Sequence, residues 1–307
     1  MVANGRFAPS PTGVLHLGNL RTALVAWLFA RSSGGSFLVR MEDLDPVTSS
    51  KEKAAAQLVD LAAIGLDWDG EVVVQSERFD LYARALDRLT SDNLTYRCFC
   101  TRREIAEALS APHGASPGRY PGTCRSLSVD EAEDRVRSGQ RFALRLRSAR
   151  DPISFVDRIA GPYEGVPDDV VLRRNDGMPA YNLAVVVDDE LQGVEEIVRA
   201  DDLLTSTPSQ MALGAMLGFR TQSYAHISLA LGPTGQRLAK RDGAVTLGDL
   251  REAGRSASEV LSILAASLNL TRDGEPVTPG LLLDRFEPDK LSRGPWTVPG
   301  HIRAARA

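Results

Sequence analysis

The first 64 residues alternate between short apolar runs and longer segments with helical periodicity. Residues 5–8 and 37–45 read as buried strands, and the second of these ends in acidic residues. Residues 16–33 and 49–64 read as helices, because apolar positions recur every three or four residues. In the first helix these positions are Leu17, Leu20, Leu24 and Leu28. The order strand, helix, strand, helix predicts an α/β fold with a parallel sheet, whose ligands bind beyond the carboxyl ends of the strands.

The pattern changes between about residues 95 and 180. Short alternating runs such as RFALRLR place leucines on one face and arginines, including Arg145 and Arg147, on the other. This texture predicts an inserted, partly antiparallel subdomain. The apolar run 181–191 is interpreted as a central parallel strand, at which the main sheet resumes. Residues 232–243 form a predicted basic loop, and the tail from residue 250 is helical at first and then irregular.

Composition excludes several classes of protein. The chain has 307 residues, of which 43% are hydrophobic, and a net charge of -4. No apolar stretch approaches the roughly 20 residues that a spanning helix needs. The opening residues lack the apolar core of an export signal. Three cysteines cannot all pair within one chain, so a reduced, cytoplasmic protein is expected. Because no spanning segment is found, no membrane partner is expected either.

The stretch FAPSPTGVLHLGN places a histidine at the start of the first helix. Amides of a first helical turn are unpaired, so a phosphate chain can lie against them, and Gly18 allows close approach. His16 and Asn19 are three residues apart and share one helical face. Alone, such a histidine is more often a helix cap or a satisfied surface group than a functional residue.

A second basic feature is the segment GPTGQRLAKRDGAVTL. It carries Arg237, Lys240 and Arg241 between glycines. A cluster of cations could stabilise the charge of a leaving pyrophosphate. By itself it could also be a solvated basic loop, and only the combination with His16 favours a nucleotide site.

Together these motifs resemble class I aminoacyl-tRNA synthetases. PSPTGVLHLGN resembles their HIGH signature and RLAKR their KMSKS loop, while RMEDLDP, YNLAVVVDD and IVRADDLLTSTPSQ resemble the glutamyl branch. The resemblance covers nearly all of residues 5–250. Two positions depart from the signatures: Asn19 replaces the last histidine of HIGH, and Ala239 replaces the serine of KMSKS.

The resemblance implies a Rossmann-like, doubly wound parallel sheet with an inserted zinc-binding α+β subdomain and a short helical C-terminal region. It divides the chain into the first half of the catalytic domain, the insert, the second half with the KMSKS-like loop, and the C-terminal region. The corresponding ranges are 1–94, 95–180, 181–250 and 251–307.

The resemblance also assigns site residues. His16, Asn19 and Lys240 are the expected catalytic residues, and the same three bind ATP, with its Mg²⁺, together with Gly18 and Arg237. The expected L-glutamate site consists of Arg6, Phe7, Ala8, Pro9, Ser10, Glu42, Tyr181 and Arg199. A pocket for glutamate needs cations for its carboxylates and an acid for its ammonium. Alternatively, Glu42 pairs only with Arg40 or with solvent, and Arg199 is an ordinary strand-end charge.

The cysteines suggest a metal site. Cys98, Cys100 and Cys124 give three of the four ligands of a tetrahedral Zn²⁺ site. The family resemblance favours Tyr120 as the fourth ligand, and His113 is the competing candidate. Three ordinary thiols are the alternative, although a Gly/Pro-rich insert has little apolar mass to order it without a metal.

The length of 307 residues leaves 67 after Lys240, too few for an anticodon-binding region of roughly 100 residues or more. The sequence therefore resembles most the truncated glutamyl-Q tRNA(Asp) synthetase family. That resemblance implies a monomeric ligase that activates glutamate and transfers it to queuosine in the anticodon stem-loop of tRNA(Asp). Arg145 and Arg147 could contact phosphates of that RNA, or they could form an ordinary solvated strand face. The alternatives are a shortened synthetase that charges a tRNA 3′ end and a degenerate, non-catalytic RNA-binding paralogue.

Overall fold

The computed structural model describes residues 2–110, 119–232, 234–236, 238 and 245–303. Its strands are β1 (Gly5–Phe7), β2 (Phe37–Met41), β3 (Val73–Val74), β4 (Thr95–Cys98), β5 (Ala143–Leu146), β6 (Ile153–Asp157), β7 (Gly161–Gly165), β8 (Val171–Arg173), β9 (Glu196–Ala200), β10 (Ser223–Ile227), β11 (Ala230–Leu231) and β12 (Trp296–Thr297). The expected strands at residues 5–8 and 37–45 are confirmed, and both are shorter than predicted, the second by four residues.

The helices include both that the periodicity predicts near the N-terminus. They are α1 (Leu17–Ser32), α2 (Lys51–Ala63), α3 (Phe79–Ser91), α4 (Arg102–Ser110), α5 (Val129–Arg137), α6 (Tyr181–Leu191), α7 (Thr207–Met216), α8 (Leu247–Glu252), α9 (Ala257–Ser267), α10 (Pro279–Asp284) and α11 (Gly300–Arg303). Short 3₁₀ helices occur at Gln75–Glu77, Asp201–Ser206 and Pro288–Lys290. Within the described ranges, no helix combines the length and the apolar character needed to cross a bilayer.

Five parallel strands form the main sheet, in the order β10-β9-β1-β2-β3. Strand β1 lies at the centre, and the chain moves outward from it on both sides. This order confirms the predicted α/β architecture. The strands end at one edge, where the loops after β1, β2 and β9 meet.

The two faces of the main sheet differ in chemistry, because successive side chains of a strand point to opposite sides. One face is apolar apart from Glu196 and packs against α1 through residues such as Phe7, Val39 and Val198. The opposite face carries buried polar and charged side chains, which are Arg6, Arg40, Arg199 and His226. A fully apolar sheet would offer no such groups, so the second face is where chemistry is possible.

Helix α1 is buried on nearly every side. It packs on β1 and β9 and is covered by α9 and α10 from the C-terminal region. Even a polar residue of this helix, Arg21, is 1% exposed, and its guanidinium donates to the Ser228 carbonyl and the Ser267 hydroxyl. The C-terminal helices therefore complete the core around the helix that begins at the PSPTG loop.

The segment between the two halves of the main sheet contains two antiparallel sheets, β4-β5-β8 and β6-β7. The hairpin β6-β7 packs on β10, where the rings of Phe155 and Tyr224 lie 5.7 Å apart. These sheets agree with the partly antiparallel subdomain that the sequence predicts. The proposed domain boundaries themselves stay a prediction.

The expectation that Arg145 lies on a solvated, phosphate-contacting face is wrong. Its side chain is buried, donates to the Asp169 carbonyl at 2.8 Å and stacks over the Tyr120 ring at 3.8 Å. Arg147 is half-buried, donates to the Arg125 carbonyl and lies over an aromatic ring. Both arginines hold the insert together, because the strand face that alternation assigns to solvent is covered by the segment around Tyr120.

The prediction of a central strand at residues 181–191 is also wrong, because this segment is helix α6. Amides of Leu183 and Ala184 bond to the Ala180 carbonyl at the start of the helix. A buried helix and a buried strand both give a continuous apolar run, so periodicity does not separate them. The length of eleven residues was the better guide. The sheet resumes instead at β9, and α6 packs against α3 and α7.

Candidate active site

A cavity of about 540 Å³ lies at the carboxyl end of the main sheet. It is lined by residues from β1, the loop after it, the start of α1, the end of β2, the start of α6 and the end of β9. Among them are all eight residues expected for glutamate and two of the expected catalytic residues, namely Arg6, Phe7, Ala8, Pro9, Ser10, Glu42, Tyr181, Arg199, His16 and Asn19. The structure thus brings residues from distant parts of the sequence to one place.

Backbone and side-chain hydrogen bonds fix the loop after β1. The amide of Glu42 donates to the Pro9 carbonyl at 3.0 Å, which joins the exits of β1 and β2. The buried amide of Gln57 donates to the Ser10 carbonyl at 3.1 Å and the Gly13 carbonyl at 2.6 Å. A rigid loop of this kind can present Ser10 and the following turn to a ligand without an entropic cost at binding.

His16 is the N-cap of α1 and forms a capping box with Asn19. Its Nδ1 accepts from the Asn19 amide, and its own amide donates to Asn19 Oδ1 at 3.1 Å. Because Nδ1 accepts, a neutral imidazole carries its proton on Nε2. His16 can therefore be both a helix cap and a functional residue, since Nδ1 caps the helix while the ring lines the cavity.

A second cavity of about 360 Å³ adjoins the first and shares His16 and Asn19 with it. Gly18 lines this space. A Cβ on Gly18 would lie 3.0 Å from His16 Cε1 and 3.3 Å from the Ala230 Cβ. Glycine at this position keeps the cavity open and leaves the imidazole where the cap needs it.

The predicted cationic loop falls largely outside the described residues. Lys240, Arg237 and the substituted position Ala239 all lie there, so their expected roles stay predictions. The described residues nearest to them in sequence are close to the start of α1: Leu238 lines the second cavity. The amide of Leu17 donates to the Val245 carbonyl at 3.0 Å.

A buried ion-pair network lies under the first cavity. Asp189 of α6 contacts Arg6 of β1 at 3.1 Å and Arg40 of β2 at 2.8 Å, and all three side chains are at most 4% exposed. Arg40 also contacts Glu42 at 3.1 Å. Although burial opposes it, the two guanidiniums hold the pKa of Asp189 below its ordinary range. Arg6 is therefore a cation whose charge is already balanced within the protein.

Arg199 has a different environment from Arg6. Its Nε donates to His226 Nε2 at 3.0 Å, and its two terminal nitrogens donate to Gln210 Oε1 at 2.6 Å and Thr207 Oγ1 at 2.9 Å. In the part of the chain that the structure describes, these three acceptors are neutral groups. The buried guanidinium keeps its charge available for an anionic ligand in the cavity.

Glu42 and Tyr181 complete the polar wall of the first cavity. Glu42 pairs with Arg40, as the alternative to a substrate-binding role predicts, and it also lines the cavity. Burial raises the pKa of Glu42, although Arg40 and Arg6 oppose the shift. Burial likewise raises the pKa of Tyr181, so its hydroxyl stays protonated at neutral pH. An ammonium group placed beside Glu42 would favour the ionised carboxylate.

Cys98, Cys100 and Cys124 form a compact cluster in the insert. Their sulfur atoms lie within 4.8 Å of one another, and two of the residues are buried. The Tyr120 hydroxyl lies 3.3 Å from Cys98 Sγ and 3.4 Å from Cys100 Sγ. Three sulfurs and one phenolic oxygen converging in this way form a donor set that could hold a metal ion. The competing candidate His113 lies outside the described residues.

Sequence reasoning missed the groups that hold the site residues in place. They are the buried polar residues Gln57, Asp189, His226 and Asp157. Gln57 contacts the site loop, Asp189 contacts Arg6 and His226 contacts Arg199. Asp157 acts one step further away, through His226. Two of them carried a signal, since an acid or a histidine that interrupts an apolar run needs a buried partner. The identity of that partner depends on long-range contacts.

Comparisons with known proteins agree with this geometry. A model of the family described as tRNA synthetases class I (E and Q), catalytic domain, matches residues 3–268. The glutamyl-Q tRNA(Asp) synthetase of Nocardia farcinica is 56% identical over 96% of this chain and 92% of its own. That of Cutibacterium acnes is 52% identical over 89% of this chain and 78% of its own. The crystal structure of a glutamate tRNA ligase from Elizabethkingia meningosepticum, in complex with its amino acid, aligns with a TM-score of 0.83 at 27% identity, covering 99% of this chain and 68% of the ligase.

Proposed function

The chain belongs to the family of class I tRNA synthetases for glutamate and glutamine, and from this membership we propose that it activates L-glutamate with ATP and transfers it to queuosine in tRNA(Asp). Two close relatives that share most of their length with this chain are named glutamyl-Q tRNA(Asp) synthetase. The acceptor follows from those relatives, and the activation step is supported by the site itself.

The observation that carries the proposal is that Arg199 and Glu42, which carry opposite charges, both line one cavity. A buried guanidinium with neutral acceptors suits a substrate carboxylate. A buried carboxylate on another wall suits an ammonium group. Glutamate carries both charges. Glutamine lacks the side-chain charge, so it would leave the desolvated Arg199 without a counter-ion.

The proposed reaction needs no side-chain nucleophile. The α-carboxylate oxygen of glutamate attacks the α-phosphorus of ATP, and the bond from that phosphorus to the oxygen bridging to the β-phosphorus breaks to release pyrophosphate. Mg²⁺ would enter with ATP and supply positive charge to its phosphates. His16 Nε2–H and the positive end of the α1 dipole stabilise the charge that develops on the phosphates, since the Leu17 and Asn19 amides already donate to the Val245 carbonyl and to His16 Nδ1. Lys240 and Arg237 are proposed to contribute from the other side. A hydroxyl of the acceptor then attacks the glutamyl carbonyl, and AMP leaves.

Glutamate-dependent exchange between ATP and pyrophosphate tests the activation step without RNA. We expect exchange with glutamate and little with glutamine, and its loss in Arg199→Ala. Arg220→Ala is the matched control, because Arg220 is 65% exposed and its acidic contacts are 3.8 and 4.0 Å long. A wild-type protein that shows no exchange, or one that responds equally to glutamine, contradicts the proposal.

The second candidate is transfer of glutamate to a tRNA 3′ end. It is favoured by the structural similarity to a glutamate tRNA ligase. Radiolabelled glutamate offered with tRNA(Asp), with and without queuosine, separates the two. Label that requires queuosine and survives removal of the 3′ terminal adenosine supports the first function. Label that ignores queuosine and is lost with the adenosine supports the second.

We propose that Cys98, Cys100, Cys124 and Tyr120 hold one structural Zn²⁺. The Tyr120 hydroxyl accepts from the Cys124 amide at 3.0 Å, which suits an oxygen that carries negative charge. When bound, the ion would tie β4 to the segment before α5 and add its binding free energy to folding of the insert. Metal analysis of the purified protein tests this, with one zinc per chain expected.

A further inference from the structure

Three buried residues form a line that ends at the first cavity. Asp157 lies at the end of β6, His226 on β10 and Arg199 on β9, and the last two are direct partners across the parallel ladder. His226 Nδ1 lies 2.6 Å from Asp157 Oδ2, and Arg199 Nε lies 3.0 Å from His226 Nε2. All three residues are at most 5% exposed. Such a chain of polar contacts through the protein interior requires a defined proton on each atom.

The donors around His226 fix its tautomer. A guanidinium Nε–H only donates, so His226 Nε2 must accept, and the ring proton must lie on Nδ1. The Thr207 hydroxyl also lies 3.2 Å from Nε2. On the other side, Asp157 Oδ2 accepts the Nδ1 proton. Burial lowers the pKa of His226, although Asp157 opposes the shift, so the ring is neutral at physiological pH.

The orientation of Asp157 is fixed as well. Its Oδ1 accepts from the backbone amides of Ile159, Ala160 and His226, at 3.0, 2.8 and 3.0 Å. These three donors occupy one carboxylate oxygen and leave the other for the imidazole. The carboxylate therefore cannot rotate to a different partner without losing several hydrogen bonds.

We propose that Asp157 and His226 are positioning residues for substrate recognition: together they direct the Arg199 guanidinium into the cavity through a neutral nitrogen and so leave its charge for the side-chain carboxylate of the substrate. This inference rests on the proposed function. It explains why the partner of the Arg199 Nε is a histidine, whereas the partner of the Arg6 Nε is the carboxylate of Asp189. A carboxylate in direct contact with Arg199 would neutralise it and weaken its attraction for a substrate anion.

The substitution Asp157→Asn tests the inference through the tautomer. The asparagine oxygen would keep the three backbone amides, so its NH₂ group would face His226 Nδ1. The imidazole would then have to accept at Nδ1 and carry its proton on Nε2, where it opposes Arg199 Nε–H. We expect the KM for glutamate to rise about 10- to 100-fold, the range for losing a hydrogen bond to a charged group, with a much smaller change in kcat.

Two further variants separate positioning from general damage. His226→Gln supplies an oxygen near the place of Nε2, and this oxygen can accept the Arg199 Nε–H hydrogen bond regardless of which residue occupies position 157. By itself this substitution is expected to raise the KM for glutamate about threefold. In its background, Asp157→Asn should add almost nothing. Asp169→Asn is the matched control, because Asp169 is a buried carboxylate that bonds Ser148 and Tyr96 outside the cavity. It should lower thermal stability and leave the KM for glutamate unchanged.

A direct readout of the ring completes the test. Nitrogen NMR of protein labelled in its four histidines should show His226 protonated on Nδ1 in the wild type and on Nε2 in Asp157→Asn, with the signal assigned by its absence in His226→Gln. A wild-type ring protonated on Nε2 overturns the inference, as does an effect of Asp157→Asn that persists undiminished in the His226→Gln background. Absence of any wild-type pyrophosphate exchange contradicts instead the proposed function, and the tautomer measurement still stands.

Discussion

Asp189 is the residue whose loss we expect to destabilise the protein most clearly. It is the one acid, among the described residues, that contacts both Arg6 and Arg40 within hydrogen-bond distance. In Asp189→Asn the side chain keeps its shape but loses its charge. Two buried guanidiniums are then left with Glu42 and Asp188, of which the latter lies 3.7 Å from Arg40 and already binds Arg78.

The size of the effect follows from the burial of the network. Removing one partner of a buried ion pair costs about 3–5 kcal/mol, because the remaining charge stays desolvated. Unfolding entropy of about 2.1 cal/mol/K per residue gives roughly 0.6 kcal/mol/K for a chain of this length. The midpoint of thermal unfolding should therefore fall by about 5–8 °C.

Scanning calorimetry at neutral pH measures this shift. The control is Asp134→Asn, which breaks a pair with Arg137 in which both side chains are 71% exposed. Exposed pairs contribute about 0–1 kcal/mol, so its midpoint should move by less than about 2 °C. An equally small shift for Asp189→Asn would refute the claim that Asp189 balances two buried cations.

The same variant has a definite pH dependence. The pKa of Asp189 is lowered by Arg6 and Arg40 in the folded state. A lowered folded pKa means that the carboxylate stabilises the protein above its unfolded pKa and that this contribution is lost as pH falls through the folded value. The difference in midpoint between wild type and Asp189→Asn should thus be full at neutral pH and shrink below pH 3.8, the ordinary value of the group.

Three other predictions concern the two cavities and the insert. Gly18→Ala should raise the KM for ATP about tenfold and change the melting temperature little, because the helix propensity gained by alanine offsets the cap that is lost when its Cβ displaces His16; an unchanged KM would show that the second cavity does not hold the nucleotide. Since burial raises the pKa of Glu42 above 4.5, the KM for glutamate should increase as pH falls through that raised value, whereas Glu42→Gln should show a high KM without this step. Cys124→Ser should lose zinc and melt lower, and Tyr120→Phe should keep the three thiolates but bind zinc more weakly in a chelator competition; equal zinc affinity in Tyr120→Phe would exclude the phenolic ligand.

The N-terminal half of the fold was predictable because its signals are local. The spacing of leucines in α1 and the serines before α2 depend on neighbours within four residues. Helix α6 was misassigned for the opposite reason. Its valines favour a strand locally, and only packing against α3 and α7, which the sequence does not display, decides for a helix.

The sequence predicts which residues line the site but not which residues contact one another. The residues that line the first cavity follow from motifs, since each motif ends a strand or begins a helix at the same edge of the sheet. The contacts of Arg145 were not predictable, because alternation along β5 does not show which segment covers that face. The roles of Lys240 and Arg237 remain predictions of the resemblance alone.

Arg6 and Arg199 show what three-dimensional contacts add to a motif. In the sequence they are two cations in apolar strand-like runs, and both are expected to bind carboxylates. In the structure Arg6 is balanced by Asp189, while Arg199 is held by His226, Gln210 and other neutral acceptors. A substrate carboxylate therefore gains more at Arg199 than at Arg6, since only there does it neutralise a buried charge. Selection for glutamate over glutamine should accordingly depend on Arg199, and loss of Arg6 should weaken both amino acids to a similar degree.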